Sequence, residues 1–147
     1  MSLREFTNKH YKIIYFIAMV GVGLWVAYIK GWILANFKSI SAKEALNLIK
    51  SKNYVVLDIR DKKDWQKGHI KGAISISLNE LEKRANELEK FKNKEILVCS
   101  KSGINGVKAS RILSKLGYKP INIKSGILGL AIEGAKKYPE LFEKEVN

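Results

Sequence analysis

Residues 13–29, IIYFIAMVGVGLWVAYI, run for seventeen positions without a charged side chain. Such a stretch must either be buried on every side in a protein core or leave water altogether. About 20 apolar residues in an α-helix match a hydrocarbon core of ~30 Å. Extended to residue 35, with the Lys30 ammonium snorkelling toward a headgroup, the stretch reaches that length. Tyr11, Tyr15, Trp25, Tyr28 and Trp32 lie toward its two ends, where amphipathic rings favour the membrane interface. A cleaved signal peptide would need a small-x-small site after the apolar core, and KGWILANF is too bulky. The expectation is a transmembrane helix over 13–35, a flank over 1–12 and a soluble domain over 38–147.

The flanks are both basic. Arg4, Lys9 and Lys12 stand upstream; Lys30, Lys38, Lys43, Lys50 and Lys52 stand downstream. The downstream excess and the single unpaired cysteine favour a soluble domain on the cytoplasmic side. The chain of 147 residues carries 27 Lys and Arg against 14 Asp and Glu, a net charge of +13. That charge is scattered, mostly lysine, and not interleaved with aromatic residues, which reads as a solvated surface and not as a nucleic-acid interface. One cysteine with His10 and His69 offers no spaced ligand set, so no metal and no cofactor are expected.

Downstream of the span, helix and strand patterns alternate. SISAKEALNLIK opens with a Ser41–Glu44 capping box and puts Ala42, Ala45, Leu46 and Ile49 on one helix face. NYVVLDI reads as a buried strand ending at Asp58, followed by a helical turn at 63–66 and a second short strand near 73–76. Ser77 with Glu80 predicts another capping box, opening a helix with Leu81, Ala85 and Leu88 inward. KEILVC reads as a strand ending at Cys99, and a helix over 106–116 buries Val107, Ala109, Ile112, Leu113 and Leu116. KPINI is a further strand, and ILGLAIEGAKK the last helix. Short apolar strands alternating with helices predict a parallel α/β sheet covered on both faces.

In an open parallel sheet, ligands bind beyond the carboxyl ends of the strands. Cys99 is placed there, at the head of Ser100-Lys101-Ser102-Gly103-Ile104-Asn105-Gly106. Amides of a tight loop entering a helix form an anion-binding hollow, and that field together with Lys101 favours thiolate over thiol. A cysteine inside the core is the competing reading, because free cysteine is among the most buried residue types.

The region from about Ser39 onward resembles a single-domain rhodanese. VVLDIRDKKDWQKGHIKGAISI looks like that family's first signature, LVCSKSGINGVKASRILSKLGY its active loop and helix, and INIKSGILGLAIEG its closing strand, turn and helix. With the N-terminal span, the chain is similar to membrane-anchored bacterial rhodanese-like proteins of the inner membrane, single-pass, with a cytoplasmic domain. The resemblance implies a three-layer α/β fold with a central parallel sheet. It also implies transfer of sulfane sulfur from thiosulfate or a persulfide donor to a thiol acceptor, through a persulfide on Cys99. The amides of Ser100, Lys101, Ser102, Gly103, Ile104 and Asn105 would bind the persulfide anion, with Asp58, Arg60 and His69 in supporting roles.

Two positions depart from the family pattern. Counted from Cys99, the loop has one position too many and closes on Asn105, where a basic residue usually stands. An uncharged amide cannot reproduce the forked donors of an arginine. Leu130 stands where the family commonly has tryptophan. The departures keep a second reading open: a non-catalytic, membrane-tethered module that binds a protein partner in or at the bilayer.

Overall fold

The computed structural model describes residues 1–51 and 54–144, and the chain divides into two compact units, 1–35 and 36–147. The first is dominated by α1 (Leu3–Ile29), a helix of 27 residues. Its start is set by a capping box: Ser2 Oγ accepts from the Glu5 amide, and the Glu5 carboxylate accepts from the Ser2 amide. The best 18-residue window has a mean hydropathy of 1.9, so α1 is long and apolar enough to cross a membrane. None of its residues is buried. The helix is offset from the expected 13–35 at both ends. The cap extends it upstream through polar residues, and Gly31, at φ 71°, turns the chain just past Lys30.

The second unit runs β1 (Lys38–Ile40), α2 (Ala42–Lys50), β2 (Val55–Asp58), α3 (Lys62–Lys67), β3 (His69–Ile70) and β4 (Ile74–Ser75). It continues with α4 (Leu81–Arg84), β5 (Glu95–Cys99), α5 (Ile104–Lys115), β6 (Lys119–Ile123), α6 (Gly126–Gly134) and β7 (Phe142–Glu143). Five strands form one all-parallel sheet in the order β1-β6-β5-β2-β4. β3 and β7 form a separate antiparallel pair.

Because β5 is central, its side chains alternate between two cores. Ile96 and Val98 pack with Leu57, Leu81, Leu88, Ala109 and Leu113, under α4 and α5. Leu97 and Cys99 pack with Ala42, Ala45, Leu46, Val56 and Leu130, under α2 and α6. Burying each of these large aliphatic side chains contributes about 1.5–3 kcal/mol, enough to pin the register of a strand this short. The three-layer arrangement is the one the sequence pattern predicts.

Several elements differ from the sequence expectation. β1, β3 and β7 are too short to show a two-residue period and form only by pairing with distant strands. At Ser77 the predicted capping box is replaced by a 3-10 turn. The Glu80 amide bonds to the Ser77 carbonyl, while the Glu80 carboxylate takes the Ser77 hydroxyl at 3.0 Å and Arg84 at 3.2 Å. The expected continuous helix becomes 3-10 over Ala85–Phe91, where the buried Tyr118 hydroxyl donates to the Ala85 carbonyl at 2.7 Å. α5 starts at Ile104, ahead of the expected 106, and Leu116 is exposed at its far end.

Candidate functional site

Parallel strands β2 and β5 deliver Asp58 and Cys99 side by side at their carboxyl ends. Asp58 is buried, and it is held by the Arg60 fork. Arg60 Nη2 lies 2.7 Å from Asp58 Oδ2 and Nε lies 3.0 Å from Oδ1, while the Arg60 amide also donates to Oδ1. The same guanidinium donates to the carbonyls of Gly68 at 2.8 Å and Asp64 at 3.3 Å. Burial pulls against the charge on Arg60, but the Asp58 bonds outweigh it and hold the group above its ordinary value. Arg60 therefore ties a strand end to the α3 turn.

His69 is 2% exposed and belongs to a second tie. Its Nδ1 lies 2.7 Å from the Trp65 carbonyl and its Nε2 3.0 Å from Glu143 Oε1, with the ring stacked on Trp65 at 3.7 Å. Glu143 also accepts from the Gly72 amide. The His69 ring thus joins the α3–β3 turn to β7.

Beyond the strand ends lies an open pocket of about 350 Å³, lined by Ile59, Arg60, Asp61, Asp64, Leu78, Asn79, Ser100, Lys101 and Asn105. Four of the sequence-derived candidates therefore meet there: Arg60, Ser100, Lys101 and Asn105. Ser102, Gly103, Ile104 and His69 are not in its lining, and Asp58 stands behind Arg60. Asp61, Asp64 and Asn79 were missed. Asp61 is readable as the residue preceding α3, but nothing local marks Asn79, which the fold brings in from the segment after β4.

The loop is fixed from both sides. Gly103 adopts φ 97°, and a Cβ there would collide with the Lys124 carbonyl, so only glycine fits. Its amide donates to Ser100 Oγ at 2.8 Å. The carbonyls of Ser100 and Lys101 accept from the Ile127 and Leu128 amides at the start of α6, at 2.7 and 3.2 Å.

Cys99 is 0% exposed and is not among the pocket's lining residues. Its Sγ belongs to the core under α2 and α6, while Ile59 and Leu78 of the pocket pack with the core on the opposite face. The one polar contact of the thiol among the described residues is to the Ser100 carbonyl at 3.8 Å. Burial pushes its pKa well above the ordinary thiol value, the neighbouring Asp58 charge raises it further, and Arg60 only partly opposes them. The environment expected to favour thiolate is not the one this sulfur meets. Leu130, which stands where the family commonly has tryptophan, is fully buried in the same core as the thiol.

A parallel sheet with a pocket over a glycine-hinged loop at the head of α5 defines the class: an α/β domain built to present one loop at its strand ends. The family model described as the rhodanese-like domain matches residues 41–132, and the chain belongs to that family. It is 33% identical over 118 residues to the Escherichia coli K12 protein YibN, covering 74% of this chain and 82% of the relative. The thiosulfate sulfurtransferase GlpE of Coxiella burnetii is 29% identical over 85 residues, 58% of this chain and 78% of that protein. The crystal structure of a rhodanese-related protein from Thermoplasma volcanium superposes with a TM-score of 0.62 at 31% identity, covering 67% of this chain and 94% of that one.

Proposed function

We propose that the chain is a non-catalytic rhodanese-like module, tethered to a membrane by α1, whose strand-end surface binds a protein partner. The observation that carries this reading is the position of Cys99. The sole thiol in the sequence is fully buried, faces the α2–α6 core and lies outside the pocket. Sulfane-sulfur transfer needs a thiolate that a donor can reach, and burial beside Asp58 opposes both requirements. The pocket itself has mixed charge, with Lys101 and Arg60 set against Asp61 and Asp64, and Arg60 is already committed to Asp58. Such a lining suits a polar protein surface better than a small dianion such as thiosulfate.

Family membership keeps sulfur transfer through Cys99 as the second reading, with thiosulfate or a persulfide as donor and a thiol as acceptor. Intact-mass analysis after incubation with each donor separates the two. The non-catalytic reading expects no gain of one sulfur atom, and a Cys99→Ala variant that restores function in cells lacking the protein. A sulfur adduct mapped to Cys99, or a Cys99→Ala variant without function, would sink it.

The proposed tether is a single pass through the cell membrane, with residues from 36 onward on the cytoplasmic side. The apolar length of α1 and the downstream lysines support it. Protease added to the outside of spheroplasts should leave the domain intact; its digestion there would reverse the orientation.

A further inference from the structure

The alternation of β5 decides which residue the loop presents. Val98 points to the α4–α5 core and Cys99 to the α2–α6 core. The next side chain returns to the α5 side, where Ser100 lines the pocket with Ile59 and Leu78. Ser100 is only 1% exposed, and its Oγ accepts the Gly103 amide at 2.8 Å. A Cβ on Gly106 would lie 3.3 Å from that oxygen, so the γ atom of residue 100 sits inside the bend that opens α5.

We infer that position 100, and not the neighbouring cysteine, is the reactive position of the strand-end loop, and that this chain fills it with a hydroxyl that cannot carry sulfur. The inference rests on the non-catalytic reading and supplies its chemical cause. Exchanging the two side chains would require turning the backbone between them. That backbone is held by the Ser100 and Lys101 carbonyls, which accept from the Ile127 and Leu128 amides. A serine hydroxyl at this place is no nucleophile unless a base takes its proton, and among the described residues no side chain is hydrogen-bonded to it as acceptor. A thiol at the same place would line the pocket and meet the Gly103 amide, a donor that favours thiolate, where Cys99 faces the α2–α6 core beside the Asp58 charge.

The test is a gain of chemistry in the full chain, solubilised in detergent, with Ser100→Cys made alone and together with Cys99→Ala. The new thiolate should attack the outer sulfur of thiosulfate. An S–S bond forms to residue 100, the S–S bond of thiosulfate breaks, and sulfite leaves with the electron pair. Both variants should gain one sulfur atom at position 100 and react with iodoacetamide at neutral pH at least about tenfold faster than the wild type. Folded Ser100→Cys variants that stay as inert as the wild type would overturn the inference and leave the non-catalytic reading standing. Sulfur loading of Cys99 in the wild type would instead overturn that reading. Should the cysteine variants not fold, Ser100→Ala tests the geometry directly: the Gly103 amide should then exchange its hydrogen faster, and unchanged exchange would remove residue 100 from the bend.

Discussion

Asp58 and Cys99 are register partners on adjacent parallel strands, so a buried carboxylate and a buried thiol point to the same face of the sheet at its carboxyl end. The carboxylate is tied down by Arg60, and the thiol is left in the field of the pair. This juxtaposition favours neutral sulfur.

The first prediction concerns that thiol. In the folded protein Cys99 should resist iodoacetamide up to and beyond about pH 8.5, where an ordinary thiol reacts freely, and should label only on unfolding. The same shift has a stability consequence. A thiol whose pKa is raised by folding favours the native state below its unfolded value, and that advantage is lost as pH rises beyond it. The melting temperature of the wild type should therefore fall faster above about pH 8.5 than that of Cys99→Ala. Parallel melting curves across the alkaline range would contradict the assignment.

Removing Arg60 should be among the most damaging single changes. Arg60→Ala leaves Asp58 charged, buried and unpaired, at a cost of about 3–5 kcal/mol. Arg60→Lys should recover only part of this, because one ammonium cannot replace two parallel bonds to Asp58 and a third to Gly68. Chemical denaturation of the two variants measures both, and full recovery by lysine would contradict the fork geometry.

Glu143 gives the domain an acid-sensitive clasp. The Gly72 amide and the His69 ring hold its carboxyl below the ordinary glutamate value. A depressed carboxyl pKa contributes stability above the unfolded value of about 4.3, and that contribution is lost as pH falls through the folded one. Glu143→Gln should flatten the acid limb of the stability profile in that window. His69→Ala, which leaves the Trp65 carbonyl without its partner, should cost about 1–3 kcal/mol at neutral pH as well.

Gly103→Ala tests the loop. Its φ of 97° and the Lys124 carbonyl leave no room for a methyl group, so at least ~2 kcal/mol should be lost. Chemical shifts should move at Ser100 and at the start of α6, which the loop joins. A variant as stable as the wild type would show that the loop can relax.

Much of the fold was legible because its signals are local. The Ser41–Glu44 box, the β-branched run ending at Asp58 and the inward set Leu81, Ala85 and Leu88 all appear where their spacing puts them. The pairing of β3 with β7 and the arrival of Asn79 at the pocket were not legible, because each depends on segments far apart in the chain. On the inference that position 100 is the reactive one, the stretch from Ser100 to Asn105 counts six positions.

From the sequence alone follow the apolar helix, the alternation of strand and helix, and a loop with its small and charged residues at the end of the central strand. The sequence also places the only thiol beside that loop. Tertiary structure decided which way the sulfur faces. Successive side chains of a strand point to opposite faces, and only packing against α2 and α6 on one side and α4 and α5 on the other assigns those faces. One residue of difference along β5 separates a thiol in the core from a hydroxyl in the pocket.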